Sequence, residues 1–258
     1  MTLSTSLPLL LLWTAAFFLG LTLVGLAIGS ALERWVHRRV WSLPIPATQL
    51  AHELRGNLTF VAACVVTLSL ALHFQWARCG AESLSRFALT FVALFFGFQA
   101  FYYALHRALH THALVRFHRH HHESRVTSPM SGQSTSLVEA LGWMIGYVAL
   151  PIALSYVAPI SLYGWLAYLA FNVVGNIVGH ANVEVVPPAD LLWVQSTVAT
   201  VFTFHALHHA RWTGHYGFSS TWADRLFKTE WRDWPSLHAR VWAQKPLESL
   251  KQRGELRP

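Results

Sequence analysis

The chain has 258 residues, 53% of them hydrophobic and only 12% charged, with a mean hydropathy of +0.36 and a net charge of +7. That balance argues against a soluble domain and for residence in a membrane. The 19 Lys and Arg are strung along the chain beside apolar stretches rather than gathered in one patch, so attraction to anionic lipid headgroups explains the basicity and nucleic acid is excluded as a partner.

Asp, Glu, Lys and Arg are absent from residues 1–30, 56–77, 87–106 and 140–183. A bilayer core takes roughly 20 apolar residues per helical crossing. The first three stretches therefore hold one span each and the fourth holds two, which places spans at about residues 7–30, 57–77, 87–105, 140–158 and 162–180. The expected fold is all-α, a polytopic membrane bundle carrying a helical cap built from about residues 106–136 and 181–258, the whole chain 1–258 forming one domain.

The first apolar run has no positive leader and no convincing cleavage site before Glu33, and reads as a retained anchor. Leu43-Pro44-Ile45-Pro46 breaks any helix joining spans one and two. Span three, ending Phe101-Tyr102-Tyr103, is expected to run on past the interface and carry His106 and His110. Ser131, Gly132 and Ser134 form a loop before the apolar hairpin, whose first arm Pro151 kinks. Residues 191–204 are apolar with scattered polar groups and are expected to lie along the interface, delivering His205 to the cap. Cys64 and Cys79 read as unpaired thiols. The Lys and Arg that follow spans one and three and the last hairpin put the cap on the cytoplasmic side.

Histidine is the outstanding residue of this chain, and it sits where apolar sequence gives way to charge. His106 and His110 are spaced i, i+4; His118, His121 and His122 form an HxxHH pattern, from which the intervening His120 points away. His205, His208 and His209 repeat that pattern in an unrelated sequence. Side chains three and four apart share a helix face, and imidazole is a good ligand for iron, zinc and copper. Eight such rings exceed the ligand set of one zinc, so two metal ions are the economical reading. His180, at the end of the returning hairpin, is a ninth candidate. No catalytic residue separate from these ligands is indicated.

HRALH, HRHHH and FHALHH in that order, with GHANVE between them and Tyr216-Gly217 and Asp224-Arg225-Leu226-Phe227 after, resemble the fatty acid hydroxylase and sterol desaturase superfamily of integral-membrane di-iron oxygenases. The resemblance covers roughly residues 101–231. It implies two iron ions in a cytoplasmic cage of His106, His110, His118, His121, His122, His180, His205, His208 and His209, and O2 with external electrons used to hydroxylate or desaturate a fatty acyl, sphingoid or sterol-like lipid. Asn182, Glu184 and Asp224 are candidates to orient the rings, Glu184 being alternatively a salt-bridge partner of a nearby Arg. Many relatives have Asn where this chain has His215, which is open as an extra ligand, a hydrogen-bond partner of the ligands or a surface residue, and Gly where it has Lys228. Phe101, Tyr102 and Trp143 are guesses for a substrate groove.

No GxGxxG motif, cysteine cluster or b5-like haem segment is visible, so a separate reductase, ferredoxin or cytochrome is implied, with the basic tail bearing Lys245, Lys251, Arg253 and Arg257 as one docking point. The alternative reading is a membrane cytochrome holding haem between paired histidines, or another membrane metalloprotein. A metal transporter would need polar residues along a path through the spans, and a zinc hydrolase would want HExxH; neither pattern is found.

Overall fold

The computed structural model describes residues 6–187 and 202–256, and these form helices and connecting loops with no named strand. Most of the expected interfacial segment at 191–204 lies outside the described residues. Three long helices come first, α1 (Leu7–Trp35), α2 (Ala47–His73) and α3 (Leu84–Leu109). Then come α4 (Val115–His122), a short 3-10 turn (Pro129–Gln133) and a hairpin, whose first arm is α5 (Leu137–Met144), a π turn (Ile145–Ala149) and α6 (Leu150–Val157) and whose second is α7 (Leu162–Gly179). The remaining described helices are α8 (Phe202–Arg211), α9 (Trp222–Leu226) and α10 (Trp234–Trp242). Five stretches are long and apolar enough to cross a membrane, namely α1, α2, α3, the α5–α6 arm and α7.

Sequence explains where these helices start. Ser83, Ser136 and Ser161 each precede a helix and accept a hydrogen bond from the backbone N–H three residues on, at Arg86, Glu139 and Gly164. Each cap satisfies one of the donors a helix start leaves free, worth about 1 kcal/mol. Pro46 stands at the entrance of α2, as the Leu43–Pro46 breaker requires.

α1 shows how the bundle packs in lipid. Its outer face carries exposed Leu12, Leu19 and Leu23, while its buried face, apart from Phe18, is small or polar: Thr14, Thr22, Gly25 and Gly29. Without a hydrophobic driving force between helices, small residues let backbones approach. A Cβ at Gly25 would stand 2.8 Å from the Ile177 side chain of α7. Thr14 and Ser69 share a hydrogen bond of 2.7 Å between α1 and α2.

The hairpin's first arm is interrupted where Pro151 is expected to kink it, and the break spreads upstream into the π turn. Pro151 has no N–H to offer the carbonyl four residues back. The Tyr147 carbonyl instead accepts from the Trp165 indole at 2.9 Å, and the Gly146 carbonyl from the Tyr168 hydroxyl at 3.0 Å. Side chains of α7 thus satisfy backbone groups that lipid cannot.

α2 begins well before the charge-free stretch that marks it in sequence, and so takes Glu53 into the interior. The carboxylate is tolerated there because Ser124 and Ser128 donate to it at 2.8 Å each and Gln49 donates at 2.8 Å.

A second apolar core lies apart from the bundle's. It joins Val40 and Trp41 of the α1–α2 linker to Val126, to Phe204 and Leu207 of α8, to Trp234, Leu237 and Val241 of α10, and to Leu247. The linker is therefore part of the cap, fastened by the bridge of Trp41 with Leu247 and of Arg39 with Val183. Arg211 at the end of α8 grips Asp233 before α10 with two parallel bonds of 2.9 and 2.8 Å.

Candidate metal centre

α3, α4, α7 and α8 converge where the bundle meets the cap, and each brings histidine. His106 lies in the last turn of α3 and His110 caps it. In α4, His118, His121 and His122 all face inward, whereas His120 turns out and stacks on His52 at 3.6 Å. His180 ends α7, and His205, His208 and His209 sit on the buried face of α8.

The nine rings named from sequence fall into two groups. One is His106, His110, His118, His122 and His208; the other is His121, His180, His205 and His209; within each group one ligand atom per residue lies within 4.8 Å of every other. The HxxHH patterns are split between the groups, with α4 and α8 each contributing to both.

Six of the rings are oriented in the same way. Nδ1 donates to a backbone carbonyl in His106 (Tyr216, 2.8 Å), His121 (Ser134, 3.2 Å), His180 (Asn176, 2.6 Å), His208 (Gly214, 2.7 Å) and His209 (Ser124, 2.9 Å). In His118 it donates to the Glu139 carboxylate at 2.8 Å. With the proton held on Nδ1, Nε2 presents a lone pair, the form a metal ligand needs.

Several Nε2 atoms face one another across the site. Nε2 of His205 is 2.9 Å from that of His180 and 3.1 Å from that of His209, and Nε2 of His208 is 3.1 Å from that of His122. Nε2 of His106, His110 and His118 is buried with no partner at all. These spacings suit an N–H···N bond in which His205 or His122, whose Nδ1 has no partner, carries its proton on Nε2, and they equally suit two ligands of one ion about 2.1 Å away, which stand about 3 Å apart when they subtend a right angle. The arrangement fits metal, and it is the three buried Nε2 atoms without a partner that are poorly explained otherwise. Burial pushes His110 and His180 down to about 4, so both rings are neutral and available near pH 7.

The loop after α8 supplies two of the orienting carbonyls at a cost in backbone strain. Trp212, Gly214 and His215 all take left-handed φ, at 69°, 73° and 55°. Such conformations persist where the surroundings enforce them, and here they aim Gly214 at His208 and Tyr216 at His106.

The other singled-out residues lie outside both groups. Asp224 accepts from the Tyr216 and Gly217 amides at 2.8 and 2.6 Å, and so holds the strand of loop whose carbonyl holds His106. Glu184 accepts from the Thr203 amide at 2.9 Å and hydroxyl at 2.7 Å, fixing the start of α8. Its ionic neighbour is His238 at 3.6 Å rather than an arginine. Asn182 pairs with both backbone groups of Trp41, at 2.8 and 3.0 Å, and braces the linker instead of a ring. His215 stacks on Phe204 at 3.6 Å, donates to the Phe204 carbonyl and accepts from the Trp231 amide, so both of its nitrogens are used.

Sequence reasoning missed Glu139. It opens α5 and is fully buried, and besides His118 it accepts from the Trp143 indole at 3.2 Å. Nothing in its neighbourhood marks it except the single acidic residue at the edge of a long charge-free stretch.

Beside both groups lies a cavity of about 170 Å³, walled by Phe60, Phe98, Tyr102, Trp143, Tyr147 and Phe218, with His118, His121 and His205 at its metal end. Tyr102 and Trp143 of the guessed groove line it; Phe101 stands behind, edge-on to Trp143.

A membrane-type helical bundle that buries a double cluster of ring-oriented histidines at the end of an apolar cavity has the build of a membrane protein with a site that could hold metal. Residues 91–229, more than half of the chain, match the Fatty acid hydroxylase family, and the chain belongs to it. It is 31% identical over 131 residues to very-long-chain aldehyde decarbonylase GL1-5 of Oryza sativa subsp. indica and 30% over 135 residues to very-long-chain aldehyde decarbonylase CER1 of Arabidopsis thaliana. Protein CER1-like 2 of Arabidopsis thaliana is 34% identical over 138 residues. Each alignment takes in 50% of this chain but only 21% of the relative, so the chain matches about a fifth of these proteins' length. No solved structure matches.

Proposed function

We propose that the protein is an integral-membrane di-iron oxygenase that uses O2 and electrons from a separate donor to hydroxylate or desaturate a long-chain lipid, its metal site facing the cytoplasm. The observation that carries this reading is an aromatic-lined cavity ending on both histidine groups. His106, His110, His118, His122 and His208 would hold one iron, and His121, His180, His205 and His209 the other. When bound, the irons supply the one-electron chemistry and O2 activation that acid and base side chains lack.

The chain's own residues do the rest. Phe60, Phe98, Tyr102, Trp143, Tyr147 and Phe218 grip an apolar chain and keep water from the reacting carbon. The carbonyls of residues 124, 134, 176, 214 and 216, with Glu139, hold the proton of six of the nine rings on the outer nitrogen. The relatives' names make a very-long-chain aldehyde a further candidate substrate. An acidic electron carrier fits the basic rim where Arg119 and Arg125 flank Trp212, whose ring contacts that of His122 at 4.8 Å. The haem reading is disfavoured, since Nε2 pairs at 2.9–3.1 Å leave no slot for a macrocycle.

Lipid extracts of host cells with and without the gene, analysed by mass spectrometry alongside the iron content of the purified protein, test the proposal. A lipid gaining one oxygen atom, or losing two hydrogens, with iron in the protein is the expected result. Unchanged lipids and iron-free protein overturn it.

A further inference from the structure

One stretch of the cap bares large apolar side chains. Trp222, Leu226 and Phe227, on and just after α9, are 37%, 64% and 52% exposed, while Ala223 and Asp224 between them are buried. The inward side is tightly held. Asp224 accepts from the Tyr216 and Gly217 amides and from the Thr229 hydroxyl, and the Phe227 ring stacks on Tyr103 of α3 with centroids 5.3 Å apart. An exposed apolar patch on so fixed a frame marks a surface with an apolar neighbour.

The level at which this stretch meets α3 identifies that neighbour. The outward face of α3 runs Leu89, Val92, Phe96, Ala100, Ala104 and then Arg107, apolar until its last member, so the hydrocarbon boundary on this face falls between Ala104 and Arg107. The stretch touches α3 on the bilayer side of that boundary. Phe227 packs on Tyr103, one turn before Arg107, and Ser220 donates to Gln99 at 3.3 Å, two turns before it. At 1.5 Å per residue Gln99 lies about 12 Å deeper than Arg107. Charge completes the pattern. Glu230 spends its oxygens on Arg225 at 3.2 Å and the Trp234 indole at 2.6 Å, which leaves Arg107 and Lys228 as exposed cations without an ion-pair partner among the described residues. Lys228 also takes a left-handed φ of 57°, a conformation that glycine adopts freely and lysine only at a cost.

We infer that residues 222–228 form a wedge whose partner is the lipid bilayer itself: Trp222, Leu226 and Phe227 enter the edge of the acyl region beside α3, and Arg107 and Lys228 meet anionic headgroups above them. The backbone strain at Lys228 is then offset by the attraction its ammonium gains at the headgroups. Phe218 and Ser219, just before the wedge, line the cavity, so the bilayer steadies one of the cavity's walls. The wedge is independent of which ion the histidines hold.

The test places nitroxide labels on the full chain in lipid nanodiscs, at single cysteines in a Cys79→Ser background, Cys64 being buried. Leu226→Cys and Phe227→Cys are compared with Phe96→Cys on the outward face of α3 and with Lys251→Cys in the exposed tail. The ratio of collisions with O2 to collisions with a water-soluble nickel chelate is expected to be at least about threefold higher at 226 and 227 than at 251, approaching that at 96. A ratio equal to that at 251 overturns the inference. So does protection from both probes in native membranes together with the tail's ratio in nanodiscs, which would put another protein on the patch. Lys228→Gly removes strain and charge together, so the change it makes in Tm should be less favourable in nanodiscs containing anionic phospholipid than in zwitterionic ones. An equal change in both overturns the headgroup contact.

Discussion

The two histidine groups are built from the same helices yet placed in different surroundings. The group of four is buried throughout, and two of its rings, His121 and His205, line the cavity. The group of five touches the cavity through His118 alone; it includes the half-buried His110, and its His122 also lines the shallow basic pocket beside Trp212. The first group is turned mainly to the cavity, and the second also reaches the shallow pocket beside Trp212. The groups thus differ in placement, an inner one bordering the cavity with two rings and an outer one bordering it with one.

The comparison breaks most sharply at the rings themselves. His121→Ala leaves the inner group three imidazoles and His208→Ala leaves the outer four, and each should lower iron below two per chain and reduce activity to background, the inner variant losing more, with the protein still inserted in membranes. Full iron in either variant removes that residue from the ligand set. A smaller and unequal effect is expected from the ring each group can best spare. His110→Ala leaves four imidazoles and should weaken iron retention only a few-fold, whereas His180→Ala leaves three and should weaken it by about 10–100-fold. Chelator competition on the two proteins measures the ratio.

The cavity's link to the inner group is sharpened by Gly175, which lines it and where an added Cβ meets nothing within 4 Å. Gly175→Leu should fill the space without strain, improve the helix, and raise KM by about tenfold with iron unchanged. Iron loss in that variant would mean the side chain had reached the cage instead.

The mildest effect concerns His215, which burial pushes down to about 3. An unfolded histidine titrates near 6.5, so between these values the unfolded state binds the extra proton and stability falls as pH is lowered. At pH 5 the loss from this residue amounts to about 2 kcal/mol relative to pH 8. His215→Asn abolishes this titration, and the melting curves of variant and wild type should draw together on acidification. Parallel curves would show that His215 takes up its proton alike in the folded and unfolded protein.

What was legible in the sequence was whatever leaves a periodic or compositional trace. Charge-free stretches of at least 20 residues marked the five membrane-capable segments, and the i, i+3, i+4 spacing on α4 and α8 marked the rings that face inward. The same reasoning set the start of α2 too late, because it counts a carboxylate as a boundary and has no way to see the serines that bury Glu53. Glu139 escaped for a related cause: its partner His118 is 21 positions away, and a helix-start glutamate is ordinarily a solvated one. Asn182 and Glu184 were read by proximity to His180, yet their partners, Trp41 and Thr203, belong to segments that only tertiary folding brings near. Pairings between distant segments carry no local signature.

The distribution of the rings also bears on how the protein comes to be made. His106 and His209 are more than a hundred residues apart, and each group draws on α8, which leaves the ribosome after every helix of the bundle. Neither nest of nitrogens is whole until that segment has been synthesised and has folded back beneath α3 and α4. Any metal held by either group would find its full ligand set only late in synthesis, and a nascent protein stalled before residue 202 would carry neither group whole.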